Sequence, residues 1–558
     1  MIKEKGRIMN KKLKKHLVKG VVLTLASSMI LAGCASGSDN KIDKGDSTLS
    51  EAPYEVDATK PAWQVDSRED NKLTWYVNAD WFNTQYGNDV VTKKFKEDLN
   101  VDIEFSSGDD AKLNTYFAGG EMPDIITLFG GNSSTALKAD TWAIPLKELA
   151  DKYDPYFYEV ANEQTLSWYE LKDGKTYGYP SYSNSQDDYD SGYLLGQDAF
   201  VIRNDIYEAI GKPSMKTPEE FLAALGMIKE KYPDVTPFGF RSFGTNGDVG
   251  SIGGVLQNHL GVPIITENGE FYDRNLDEEY LEWIKVFNEA YRLGYISQDN
   301  FADNNTIFEE KISKGQYGTM MISGAAQLGS ALGKNIADDP ARQYIAIDGP
   351  DSEKYDGPTI NQSGLSGWTV TYISKDCKNP SKAIQIFTYL LSEHGQYLTV
   401  FGIEDETYTF NENGKAVFTP EVEKMRNENP DQFKKEYRMG EFWFFGHDRF
   451  AAEKGEDQTS QAIKQIKQWT AGKLKPQFIL ENIDPDNGTA EARNLMNINT
   501  TWATTLASAI QASSEVEFDK IIEDYRQFLV QNKFEDIVKI RNEKIKENAE
   551  KLGITEFK

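Results

Sequence analysis

Apolar residues along this chain fall into short runs that end at glycine, asparagine or aspartate, and their spacing predicts alternating strands and helices. Residues 72–77 (Lys-Leu-Thr-Trp-Tyr-Val) read as a strand that stops at Asn78-Ala79-Asp80. A helix follows up to about Leu99, and then Val101, Ile103 and Phe105 alternate as in a half-buried strand. After Asp124 comes an unbroken strand, Ile125-Ile126-Thr127-Leu128-Phe129, and residues 200–203 form another. Thr217-Pro218-Glu219-Glu220 opens a helix with an N-cap oxygen, a first-turn proline and a capping-box glutamate. Phe221, Leu222, Leu225 and Ile228 supply its buried stripe. Further helices are predicted over residues 277–292, stopping at Gly294, over 381–391 and over 518–552. Apolar strands separated by helices predict α/β architecture with a parallel sheet covered on both faces.

The N-terminus follows a different pattern. Residues 21–31 are apolar and come after a leader containing Lys11, Lys12, Lys14, Lys15 and Lys19, the layout of a secretory signal peptide. The run is too short to span a bilayer, which takes about 20 apolar residues. Leu31-Ala32-Gly33-Cys34 resembles the lipobox of bacterial lipoproteins, in which Cys34 would become the first mature residue and carry lipid. Residues 1–33 are therefore expected to be a lipoprotein signal peptide. Residues 34–68, rich in Ser, Gly, Asp and Lys, are expected to be a flexible spacer. Cys34 is the only membrane attachment this reading provides, and it implies a lipid-anchored protein on the extracellular face of the cell membrane.

Charge narrows the partners. The chain holds 61 Lys and Arg against 88 Asp and Glu, a formal net charge of -27. Removing the eight basic residues and one acidic residue of the leader leaves 53 against 87, or -34. Such a field argues against nucleic acid and disfavours strongly anionic solutes. Two cysteines, one of them Cys34, leave only Cys377 and no intramolecular disulfide. His259, His394 and His447 are far apart, and no HExxH or CxxC pair exists, so neither a metal site nor a cofactor is expected.

Several segments follow one another along the chain: Ala118-Gly-Gly-Glu-Met-Pro-Asp-Ile-Ile, Asp173-Gly-Lys-Thr-Tyr-Gly-Tyr-Pro, Phe200-Val-Ile-Arg-Asn-Asp with Thr217-Pro-Glu-Glu-Phe, Lys314-Gly-Gln-Tyr-Gly-Thr-Met-Met and Asn379-Pro-Ser-Lys-Ala-Ile. Their order resembles that in the extracellular solute-binding lipoproteins of ATP-driven (ABC) importers, in the carbohydrate-binding family. The length is similar to that of the large oligosaccharide-binding subgroup. The resemblance implies a two-lobed, type II periplasmic-binding-protein-like fold with a cleft between the lobes and crossing hinge segments. Mapped onto this chain, residues 69–195 and 356–410 make the N-lobe, and 196–355 and 411–558 the C-lobe. Crossings are expected near residues 188–200, 345–358 and 402–418. The implied partners are an oligosaccharide or other small solute and the permease subunits of the importer, with the protein acting as a monomer and not as an enzyme. Many large members carry a calcium loop after the helix matching residues 221–231. Here that position reads Lys231-Tyr-Pro-Asp-Val-Thr236, which lacks alternating oxygen ligands, so no obligatory calcium is expected.

Sugars present apolar C–H faces and hydroxyls, so a sugar site needs aromatic platforms with groups that donate and accept hydrogen bonds. In open α/β sheets such sites lie at the carboxyl ends of strands. On those grounds the candidate ligand residues are Trp81, Asn83, Asn132, Tyr182, Arg203, Asn246, Trp368 and Trp443. Asp187 and Asp188 stand beside Tyr182, while Trp75, Trp283 and Trp469 are assigned to packing. The competing functions are a lipid-anchored glycoside hydrolase or lyase and a glycan-binding adhesin or sensor. Acidity does not separate these, because among 87 carboxylates some pair will meet the hydrolase spacing by chance.

Overall fold

β-Branched and aromatic runs bounded by turn residues build a five-stranded sheet, a four-stranded sheet and a two-stranded hairpin among the described residues. A computed structural model describes residues 49–69, 71–244, 246–337, 339–457 and 459–557, so the expected signal peptide and Cys34 lie outside the described residues. The first sheet has the order β2-β1-β3-β9-β4, with β1 Asn71–Val77, β2 Val101–Ser107, β3 Ile125–Phe129, β4 Gly178–Pro180 and β9 Thr369–Ile373. Strands β1, β2 and β3 run parallel, but β9 runs antiparallel to β3 and β4. The sheet is therefore mixed, and the expectation of an all-parallel sheet is corrected. The antiparallel strand is the one by which the chain returns from the second lobe. Its register pairs Thr369 with Phe129, so the chain enters this sheet where β3 ends.

The second sheet has the order β6-β7-β5-β8, with β5 Ala199–Arg203, β6 Thr236–Gly239, β7 Tyr317–Ile322 and β8 Tyr344–Ala346. Each lobe has its own aromatic core. In the first, Trp75 is fully buried, its ring 4.2 Å from Phe444 and 5.2 Å from Phe105, and its Nε1 donates to Thr127 Oγ1 at 2.9 Å. In the second, Phe200, Phe221, Phe238, Trp283 and Phe287 pack with Trp502, Leu506 and Phe518 from the C-terminal helices. The Pro218–Lys231 helix has the capping box read from the sequence, with Thr217 accepting from the Glu220 amide and Glu220 from the Thr217 amide.

Two expected boundaries are corrected. The spacer does not extend to residue 68, because the last part of it is packed on the first lobe. Tyr54 donates to the Tyr153 carbonyl, the amide of buried Ala62 donates to Asp154 Oδ1 at 3.0 Å, and Asp66 is buried in an ion pair with Lys382. The 411–455 stretch, expected in the C-lobe, also belongs to the first lobe. There Phe442, Phe444 and Phe445 fill the core, and Asp448 accepts from Asn184. Residues 402–418 are no crossing. They contain the antiparallel hairpin of β10 (Tyr408–Phe410) and β11 (Ala416–Phe418), closed around Asn411 and Gly414. After β11 and the Asp448–Lys454 helix, the chain reaches the second lobe at the Gln461–Trp469 helix, in which Gln465 pairs with both polar groups of Ala346.

Asp154 gives a pH test of this packing. Burial, only partly offset by the Ala62 amide and the Thr388 hydroxyl, raises its carboxyl from 3.8 to about 6. The folded protein thus holds a proton that the unfolded chain releases, and stability falls as pH rises from about 4 to 6. Asp154→Asn is expected to be more stable than wild type by about 1–2 kcal/mol at pH 7 and to lose that advantage near pH 4. Urea unfolding at both pH values checks this.

Candidate ligand-binding site

Three strand ends and one loop bring aromatic rings together on the first lobe. β1 ends at Val77, and a tight turn in which the Phe82 amide donates to the Ala79 carbonyl sends neighbouring side chains to opposite sides. Phe82 goes inward, against Phe105, Trp443 and Phe444, and Trp81 goes outward with 59% of its surface exposed. β3 ends at Phe129, after which Gly130, at φ 71°, donates its amide to the Trp368 carbonyl. Trp368 precedes β9, is held from its other side by the Ser181 carbonyl, and is 41% exposed.

Trp443 completes the group from below. Its ring is nearly buried and lies 4.8 Å from Trp368 and 5.9 Å from Trp81. Trp81 and Trp368 are 6.2 Å apart with planes inclined by only 18°, and Phe129 stands edge-on 5.3 Å from Trp368. Two exposed indoles therefore rest on two rigid supporting rings, an apolar surface of the kind that covers the C–H face of a sugar. Tyr182 flanks it, 6.3 Å from Trp368, in a left-handed backbone conformation (φ 52°) fixed by its amide bond to the Gly446 carbonyl. Burial, with the charges of Asp448 and Glu441, raises its phenol to about 12, so it stays a hydrogen-bond donor.

Arg438 holds the Trp81 loop in place. Its guanidinium is buried between Phe82 and Phe442 and donates to the Gln85 and Asn83 carbonyls. Its charge is balanced by Asp89 at 3.7 Å. Sequence reading missed Arg438 and Phe129. Arg438 carries no local signal, since its partners are some 350 positions away, whereas Phe129 ends the strand whose loop was singled out.

The other expected ligand residues are scattered. Asn83 and Asn132 are exposed on loops of the first lobe, and Asn83 Oδ1 already accepts from the Gln85 amide at 3.1 Å. Asn246 is exposed on the second lobe, where its Oδ1 faces the Asp248 amide. Arg203 is not at the site. It ends β5 on the side remote from the crossing, buried, paired with Asp205 at 2.5 Å and donating to the Gly315 carbonyl. A strand-end arginine can point at a ligand or at the next turn, and here the carboxylate two residues on captures it. Asp188 is likewise structural, while Asp187 is exposed. Burial works against the charge of Asp188, but His447 at 3.1 Å and Ser185 outweigh it and lower its carboxyl to about 2.

The second lobe has its own polar recess of about 120 Å³, lined among others by Arg241, Asn305, Phe308, Glu309, Ser323 and Gln327. It lies where β7 ends, next to the first crossing, since Ile322 pairs with Ala199 and the Gly324 amide donates to Asp198. Arg241 is held by Asp248 at 2.6 Å, so the recess carries no free guanidinium. Among the described residues, no group of three or more His, Cys, Asp and Glu side chains is arranged to hold a metal ion. Asp484 and Asp486, an oxygen-rich stretch, pair with Arg541 and Lys544.

Residues 83–397 match the profile of a protein family described as bacterial extracellular solute-binding protein. The chain belongs to that family. Its members are binding proteins rather than enzymes, which answers the hydrolase alternative. The chain is also 25% identical to lipoprotein LipO of Bacillus subtilis over 432 residues, 72% of this chain and 75% of that one. Among solved structures, an extracellular solute-binding protein from Bifidobacterium longum subsp. infantis superposes with a TM-score of 0.64 at 16% identity, covering 86% of this chain and 98% of that one. The N-glycan transport solute-binding protein of Streptococcus pneumoniae gives 0.56 at 18% identity, with coverages of 86% and 99%. These likenesses establish the two-lobed type II binding-protein fold.

Proposed function

We propose that this solute-binding protein captures a neutral oligosaccharide between its lobes and delivers it to the permease of an ABC importer. The observation that carries this reading is the convergence of Trp81, Trp368, Trp443 and Phe129, drawn from four separated stretches of sequence, at the strand ends of one lobe. Stacking on such rings suits saccharides, and the amide, hydroxyl and carboxylate groups of the second lobe suit their hydroxyls. Neutrality follows from charge. Arg241 is already paired, and Tyr182 faces Asp448 and Glu441 in a strongly acidic chain. The names of neighbours such as the N-glycan transport protein are consistent with a sugar ligand. Ligand touching both lobes favours the closed arrangement, which a permease can distinguish from the empty one.

Calorimetric titration with maltotriose, cellotriose, xylotriose, mannotriose and trigalacturonic acid tests this. At least one neutral trisaccharide is expected to bind saturably and to be recovered unchanged, with trigalacturonic acid weaker. Depolymerised product, or binding by none of the neutral sugars, contradicts the reading.

The same reading places the protein outside the cell on a lipid carried by Cys34. The lipobox-like sequence supports it, as does the likeness to a protein named as a lipoprotein. Among the described residues no helix is long and apolar enough to cross a membrane. Cys34→Ser is expected to move the protein from the membrane fraction to the soluble or uncleaved precursor form and to abolish incorporation of labelled palmitate.

A further inference from the structure

We infer that Glu481 is a positioning residue for the ligand platform: its carboxylate, carried by a segment packed on the second lobe, sets the loop that presents Trp368. The inference rests on the reading of the ring cluster as a sugar site.

After the Gln461–Trp469 helix the chain runs back along the second crossing, with Leu474 bridged to Ile360 and Thr470 bonded to the Gly196 amide. It reaches the Phe478–Leu480 turn, where Ile479 and Ile483 pack with Ile545 and Ala549 and against Ile264, Ile265 and Phe271 of the second lobe. Asn548 fixes this segment by donating to the Ile479 and Glu481 carbonyls at 3.0 and 2.9 Å. From this base Glu481 reaches into the first lobe. Oε1 accepts from the Leu365 amide at 3.0 Å and Oε2 from the Ser366 amide at 2.6 Å. A carboxylate is suited to this task, since its two oxygens accept from two adjacent N–H groups at once.

Further contacts of the clamped loop are neutral: Leu365 packs with Trp168 and Phe478, and the Leu365 and Gly364 carbonyls accept from the Ser183 hydroxyl and the Asn184 amide. Ser366 Oγ accepts from Trp168 Nε1 and Asn482 Nδ2, and the Ser366 carbonyl accepts from the Tyr169 hydroxyl. Gly364 lies so close to Glu481 that a Cβ there would stand 2.0 Å from Oε1. Gly367, at φ 60°, then turns the chain directly into Trp368, so the position of Ser366 bears on the indole together with the Ser181 and Gly130 backbone bonds that hold Trp368 itself. Burial costs the Glu481 carboxylate more than the Ser366 and Leu365 bonds return, and its carboxyl is raised above the ordinary range. The carboxylate stands where it joins the Leu365–Ser366 loop of one lobe to a segment packed on the other.

A double-mutant cycle in ligand affinity separates positioning from general support. The probe is whichever neutral trisaccharide of the panel above binds the wild-type protein most tightly. Glu481→Ala is expected to weaken binding about tenfold, and Glu481→Gln, which keeps one acceptor, by less. In a Trp368→Ala background, Glu481→Ala should change affinity by less than about twofold, because the group it positions is gone. Melting temperatures identify any variant that does not fold, and the Glu481→Gln arm then completes the cycle. Wild-type affinity in both Glu481 variants, or a loss that adds in full to that of Trp368→Ala, overturns the inference while leaving the sugar-receptor reading intact. Absence of binding to the wild type overturns both.

Discussion

Asp66→Ala is expected to lower the unfolding free energy by about 3–5 kcal/mol, the cost of leaving a buried charge without its partner. Asp66 and Lys382 are both inaccessible to solvent and 2.8 Å apart. Burial opposes the Asp66 charge, but Arg68, Lys382 and Gln385 bond to it and hold its carboxyl well below the ordinary carboxylate range. Removing the carboxylate leaves the buried Lys382 ammonium without a counter-charge, donating to the Leu99 carbonyl at 3.0 Å. It also frees Arg68, which joins Asn379 and Ser381 at the start of the Pro380–Leu391 helix. Asp66→Leu combined with Lys382→Met should recover most of the loss, because an apolar pair of similar size needs no compensating charge. Urea unfolding measures both, and equal stability of Asp66→Ala and wild type would show that residues 53–68 are not anchored through this pair.

Trp81→Ala and Trp368→Ala are each expected to weaken saccharide binding by about 2 kcal/mol, roughly thirtyfold, while changing stability little. Both rings are substantially exposed, so truncating either one removes contact area without opening a core cavity. Trp443→Ala provides the contrast. Its ring is nearly buried against Phe82, Phe444 and Trp368, and its loss should destabilise the lobe by about 3–5 kcal/mol as well as weakening binding. Titration and unfolding on the same three variants separate the two roles. Unchanged affinity in both exposed-tryptophan variants would remove the platform from the site.

The legibility of this molecule in its sequence follows the range of the interactions involved. Local signals were read correctly where one segment determines its own form, as in β1, β3 and the Thr217 capping box, which depend on neighbours within a few positions. The aromatic cluster was legible because strand ends and a need for flat apolar surfaces select the same few tryptophans, although 287 positions separate Trp81 from Trp368. Pairings made across long stretches were not legible. A polar stretch before β1 looked like a spacer because the contacts that anchor its end are made far along the chain, to Tyr153, Asp154 and, more than 300 positions later, Lys382. Residues 402–418 were expected to cross because the family resemblance implied a third crossing there, whereas the stretch pairs with itself as the Tyr408–Phe418 hairpin, closed by its Asn-Glu-Asn-Gly turn. Arg203 failed for the opposite reason, since a nearby carboxylate satisfied it locally.

The measurement that bears most directly on the central claim is a crystal structure of the protein with its tightest neutral trisaccharide. A sugar ring packed on Trp81 and Trp368, with hydroxyls meeting the recess around Asn305 and Ser323, is the predicted result. Saccharide bound elsewhere, with both indole faces still bare, would contradict it.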